Sequence, residues 1–172
     1  MGAHGLAAPR HLILLLVALF GASCASFEDT FHVSSFLHEQ VTGDTWRACL
    51  GREYQVQTRS ILRQGRDWAA ASQLSSKGWT ALRDGDVAPW QAGDLGVAAS
   101  RRSEFDTARR ELSTALANGR AAPCPCARAQ AAYDGWIAAS VRPGSNEAAA
   151  QTDFSDAIAT CRQEEARHIE AH

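Results

Sequence analysis

Residues 97–118 read VAASRRSEFDTARRELSTALAN, and this stretch decides the fold class. Phe105, Ala108, Leu112, Ala115 and Leu116 recur at steps of three and four, which lays an apolar stripe along one face of an α-helix. Arg101, Arg102, Asp106, Arg109, Arg110 and Ser113 fall on the opposite face, where Asp106 and Arg110 form a favourable i,i+4 pair. Asn118-Gly119 ends the pattern with residues suited to a C-cap. A stripe of this kind is stable only against another apolar face, so the helix needs partners.

The same period supplies them on both sides. Upstream, Asp84–Gly96 carries Gly85, Pro89, Gly93 and Gly96 and reads as a loop, with Trp90 folding back onto the helices. Before it, Asp67 caps a helix with Trp68, Ala71, Ser75, Trp79 and Leu82 in register. Gly65 separates that helix from one capped by Asp44 and running to about Gln64, with Trp46, Leu50, Tyr54 and Ile61 on one face. A short first helix, with Phe31, Phe36 and Leu37, is placed around Asp29–Gln40. Downstream, Pro123 and Pro125 mark Ala121–Cys126 as a tight connection. A helix over Ala127–Val141 follows, presenting Tyr133, Trp136, Ile137 and Val141. Arg142–Asn146 is a Pro/Gly turn, and a last helix from about Thr152 carries Phe154, Ile158 and Cys161. Past Cys161 the stripe fades into a polar stretch expected to fray. No segment alternates over strand length. The expected fold is all-α, an antiparallel array of five or six helices joined as hairpins.

The first two dozen residues read differently. Arg10 and His11 precede nine apolar residues, Leu12–Phe20, and then Gly21-Ala22-Ser23-Cys24. A basic start, a short apolar run and small residues make a secretory signal, and the run is shorter than the ~20 residues a membrane span needs. A cysteine directly after small residues resembles a bacterial lipobox, in which the cysteine is lipidated and begins the mature chain. The resemblance departs at Gly21, where the pattern prefers Leu or Val. The rival processing, cleavage after Ala25, would discard Cys24 and release a soluble periplasmic protein. Ala25 after the cysteine, rather than Asp, implies outer-membrane rather than inner-membrane residence. The expected organisation is a signal over 1–23, a lipidated start, linker and short helix over 24–43, a helical domain over 44–163, and a polar tail over 164–172.

Bulk composition narrows the function classes. The net charge is −2, from sixteen Arg, one Lys and 19 Asp plus Glu in 172 residues, so no polyanion partner and no nucleic acid is implied. No second apolar run has spanning length, which leaves lipid on Cys24 as the membrane attachment. Glycine-rich phosphate loops and Gly-x-Ser-x-Gly are absent, and no carboxylate pair stands out from helix-surface charges, so no enzyme is expected. Glu164 and Glu165 read as a solvated face. His32 and His38 fall on different helix faces, while His168 and His172 are i,i+4 but lie in the tail. Trp46, Trp68, Trp79 and Trp136 fall on core stripes. Trp90 sits in a loop, which makes it a lid and the best single candidate for a partner contact.

The motifs Leu50-Gly51, Tyr54, Asp67-Trp68, Ala70-Ala71, Lys77-Gly78, Pro89-Trp90, Ala129-Gln130-Ala131-Ala132-Tyr133-Asp134-Gly135-Trp136 and Thr160-Cys161-Arg162 follow one another in order. That order resembles the helical N-terminal region of OmpA-family lipoproteins and covers most of residues 45–163. Such proteins continue into a C-terminal peptidoglycan-binding domain, whereas the sequence here runs to His172, so peptidoglycan binding is not carried over as an expectation. The family tends to have a cysteine at Gly135, which implies a pairing with the cysteine matching Cys161. Asp67–Gly78 also resembles the second helix of a tetratricopeptide repeat, although no second copy stands at a 34-residue offset.

Four cysteines remain after Cys24: Cys49, Cys124, Cys126 and Cys161. An even count in an exported chain predicts disulfides. Cys124 and Cys126 are too close in sequence to pair with each other, which leaves each for Cys49 or Cys161. With Gly135 opposite Cys161 in an antiparallel hairpin, Cys126 lies nine residues away, ~13 Å along the helix. A Cys126–Cys161 bond then requires the Pro-bounded loop to bend toward the last helix, and a buried free Cys161 thiol stays open as the alternative. The one-residue spacing of Cys124 and Cys126 is not that of zinc or dithiol redox motifs. The expectation is a non-enzymatic, lipid-anchored envelope protein facing the periplasm. It would serve as a scaffold or interaction module for another envelope protein, with no cofactor beyond the lipid on Cys24. The alternative is a periplasmic protein that binds a small ligand or metal through the cysteine-rich loop.

Overall fold

Alanine supplies much of the interior, and the helix that carries the largest share of it is buried almost all round. The computed structural model describes residues 30–65, 67–85, 87–118 and 122–171. They form helix α1 over 30–38, α2 (Trp46–Gly65), α3 (Trp68–Asp84), a 3₁₀ turn at Ala99–Arg101, α4 (Arg102–Asn118), α5 (Pro123–Ser140) and α6 (Glu147–Glu170). No strand occurs among the described residues, so the all-α expectation holds. The expected signal segment and Cys24 lie outside the described residues.

From Cys126 to Ala139 only Arg128 of α5 reaches solvent. Such a helix must be covered all round, and two cores do so. Val33, Phe36, Leu50, Tyr54 and Leu74 of α1–α3 pack on Ala127, Ala131 and Ala138 of α5. On the other side Phe105 and Leu112 of α4 and Phe154 and Ile158 of α6 pack on Tyr133, Trp136 and Ile137. The Trp136 ring lies 4.5 Å from Phe105 and 5.7 Å from Phe154, centroid to centroid, which ties α4, α5 and α6 through one aromatic group. α2–α3 and α5–α6 are antiparallel hairpins, and α4 lies across α5 and α6.

Several boundaries differ from the sequence reading. Thr45, not Asp44, caps α2: its hydroxyl accepts from the Ala48 N–H at 3.3 Å. Asp67 caps α3 as expected, accepting from Ala70 at 3.0 Å. Trp68 is 40 % exposed rather than in the core, because it is the first residue of α3 and precedes the turn that packs. Residues 123–126, read as a connection, are the first turn of α5. The first turn has no partners for its N–H groups, so both prolines fit there without loss. α6 starts at Glu147, capped by Asn146 accepting from Ala149 at 3.2 Å, and not near Thr152. It also continues to Glu170, so the expected polar tail is helical; Glu165, read as solvated, is buried, while residues 166–171 stay exposed.

These boundaries reset the α5–α6 register. Cys126 lies 14 residues before Ser140, and Cys161 lies 14 residues after Glu147, so the two are level across the hairpin. They form a disulfide with Cα atoms 4.6 Å apart. No loop has to bend, and Cys161 is not a free thiol. Gly135 does not face Cys161; a Cβ there would meet Gln57 of α2.

Helix α1 belongs to the core that α2 and α3 form with α5. Its Phe36 ring sits directly on Gly78 of α3, and its terminal carbonyls are taken by α2: Gln55 Nε2 donates to Phe36 O at 2.7 Å and to Glu39 O at 2.9 Å. A Cβ at Gly78 would overlap the Phe36 ring. Gly78→Ala is therefore expected to cost about 1–3 kcal/mol of unfolding free energy in urea titration. Part of that loss should return when Phe36→Leu is added, a coupling that a double-mutant cycle reads directly.

Candidate functional site

Asp134 sits in the middle of α5 and is wholly buried. An isolated carboxylate there would cost several kcal/mol, so its partners define the centre of the molecule. Lys77 Nζ from α3 lies 2.6 Å from Oδ2. The Tyr54 hydroxyl from α2 donates to the same oxygen at 2.5 Å, and the Trp90 backbone N–H donates to Oδ1 at 2.8 Å. Burial pushes the Asp134 carboxyl up, and Lys77, Tyr54 and Trp90 oppose that shift. Burial pulls the Lys77 ammonium down against the pull of Asp134. The Tyr54 hydroxyl is pushed well above its usual range by burial and then by the neighbouring carboxylate, which keeps it a donor.

The same groups fasten the segment between α3 and α4. Gln130 Nε2 donates to Val87 O at 2.5 Å, Lys77 to Ala88 O at 2.8 Å, and Arg109 Nε to Pro89 O at 3.2 Å. Four consecutive residues, 87–90, are thus held through their main chain by side chains of α3, α4 and α5. Trp90 closes over this clasp with its ring 4.5 Å from Lys77 Nζ, so it is the lid that its loop position suggested. Trp90 itself is half-buried.

Beside the clasp a cleft of about 750 Å³ opens where α2 and α5 begin and α3 and α4 end. Trp46, Val87, Pro89, Leu116 and Pro123 make its apolar walls, Arg47 and Asp84 charge its lining, and Gln130 reaches it from the clasp. That volume and lining match a site for a small molecule or for the side chains of a partner.

A second disulfide, Cys49–Cys124, joins the two walls, with Cα atoms 4.9 Å apart. The four cysteines therefore pair as Cys49–Cys124 and Cys126–Cys161, one of the two arrangements left open by the sequence. Asp44, Cys49 and Cys124 bring ligand-type atoms within 4.8 Å of one another. Both sulfurs are held in the disulfide, so neither offers a thiolate to a metal. Arg52 lies against this bond, its Nη2 3.4 Å from Cys49 Sγ and 3.7 Å from Cys124 Sγ. His32 contacts Ser76 Oγ at 3.2 Å and His38 contacts Ser34 O at 2.8 Å, on separate faces as expected. His172 lies outside the described residues.

The periodicity argument placed Tyr54 on a core face and passed over Lys77, Gln130 and Asp134, which entered only as resemblance motifs. One signal was present: Lys77 is the single lysine of the chain, and it falls between Leu74 and Gly78 on the buried side of α3. The clasp can be tested by deletion. Lys77→Met leaves the carboxylate unpaired and is expected to cost about 3–5 kcal/mol in urea unfolding with disulfides intact. Lys77→Met with Asp134→Leu should cost less than Lys77→Met alone, because no charge remains buried.

No family model, curated protein or solved structure matches this chain.

Proposed function

We propose that this chain is a non-enzymatic bacterial lipoprotein of the cell envelope. Lipid on Cys24 holds it in the outer membrane, and the helical domain faces the periplasm as an interaction module. The observation that carries the reading is the state of the other cysteines. All four are taken up by two disulfides, which fits an oxidising compartment and leaves Cys24, behind a run of small residues, as the fifth. No described helix is long and apolar enough to cross a membrane, so attachment by lipid is the route consistent with the described part of the chain. A resemblance to the helical region of OmpA-family lipoproteins agrees with this placement.

The polar groups of the clasp are spent on one another and on the main chain of residues 87–90, which suits a fixed scaffold. The cleft walled by Trp46 and Pro123 is the surface we assign to the partner, another envelope protein.

Metabolic labelling with radioactive palmitate tests the anchor. The parent should incorporate label and fractionate with the outer membrane, and Cys24→Ser should lose both. An unlabelled parent recovered from the cytosol would overturn the proposal. Crosslinking in intact cells tests the role. Trp46→Ala should lose a partner that the parent captures, and an identical captured set for the two would remove the cleft from the interface.

A further inference from the structure

The two disulfides stand in opposite surroundings. Cys126 and Cys161 are both 0 % exposed, within the core made by α4, α5 and α6. Reaching that bond requires the α5–α6 hairpin to separate. Cys124 is partly exposed in the first turn of α5, whereas its partner Cys49 is buried in the second turn of α2. Arg52 places its guanidinium 3.4 Å from Cys49 Sγ, and its side chain is 35 % exposed. One anionic group is also close: Asp44, 3.4 Å from Arg52 Nη2, but with 92 % of its side chain in water.

We infer that Cys49–Cys124 is a thiol–disulfide exchange site, opened in the folded protein by an external dithiol, while Cys126–Cys161 is permanent. A thiolate of the dithiol attacks the accessible Cys124 Sγ. The S–S bond breaks, and its electron pair leaves on Cys49 Sγ as a thiolate beside the Arg52 cation. Stabilising the leaving sulfur speeds exchange. The second thiol of the reagent, once deprotonated, attacks its own sulfur in the mixed disulfide and releases Cys124 as thiolate. The dithiol gives up two electrons and two protons and becomes a disulfide; Cys49 and Cys124 take them up and become two thiols. The bond that opens is the one joining the walls of the cleft. Trp46 stands three residues before Cys49, and Pro123 adjoins Cys124. Exchange therefore releases the start of α2 from the start of α5 and leaves the clasp around Asp134 in place. This inference is independent of lipid on Cys24, because it concerns the folded domain alone.

The test is graded dithiothreitol added to the purified, fully oxidised protein without denaturant. Samples are quenched with a thiol-alkylating reagent and each cysteine is assigned by peptide mass. Cys49 and Cys124 should become labelled at least about tenfold faster than Cys126 and Cys161. Arg52→Gln should slow the first pair by about threefold for each unit by which the pKa of the leaving thiol rises, taking a dependence of ~0.5 on that pKa. Arg52→Lys should retain most of the parent rate, and Asp44→Asn should raise it. Opening of both bonds together, or of Cys126–Cys161 first, would overturn the assignment. So would parent-like exchange in both Arg52→Gln and Asp44→Asn.

Discussion

A single carboxylate, that of Asp134, organises the molecule. It lies in a helix covered on every side, where a charge without partners would undo several kcal/mol of burial. Satisfying it takes the Lys77 ammonium from α3, the Tyr54 hydroxyl from α2 and the Trp90 N–H from the segment ahead of α4. Each partner brings its own element to a set distance from α5. The position of the α2–α3 hairpin and the path of residues 87–90 therefore follow from one buried acid. A low dielectric makes such a network specific, because any other arrangement leaves a polar group unpaired.

Small residues make the arrangement sterically possible. Ala127, Ala131 and Ala138 let α2 and α3 approach α5 closely on one face, while Tyr133, Trp136 and Ile137 fill the wider space toward α4 and α6 on the other. Gly78 does the same for the Phe36 ring. Bulk on one side and alanine on the other explain why α5 shows little periodicity in sequence yet occupies the centre.

The disulfides divide the work of holding this array. Cys126–Cys161 closes 35 residues within one hairpin, and Cys49–Cys124 closes 75 residues between the α1–α3 unit and α5. In the chain-entropy picture each removes about 4 kcal/mol of freedom from the unfolded chain. Their surroundings differ more than their loop lengths do. One is fully buried in the core of α4, α5 and α6, and the other lies next to cleft residues Trp46 and Pro123 with an arginine against it. A fold that keeps its clasp when the outer bond opens can change the shape of the cleft without unfolding.

Local chemistry in the sequence was enough for the fold class, the Asp67 cap, the loop over 84–96 and the stripe of α4, because stripe period, caps and glycines act over a few residues. It was not enough for the start of α5 or α6. Pro123 and Pro125 look the same in a loop as in a first helical turn, and the difference lies in whether the turn is packed. Misplacing the start of α6 in turn misplaced Cys161 against Gly135, since register across a hairpin counts from its turn. The Lys77–Asp134 clasp, the pairing of the four cysteines and the cleft between two helix starts were decided by tertiary structure alone. They join residues dozens of positions apart, and only the closed core brings those residues within bonding distance.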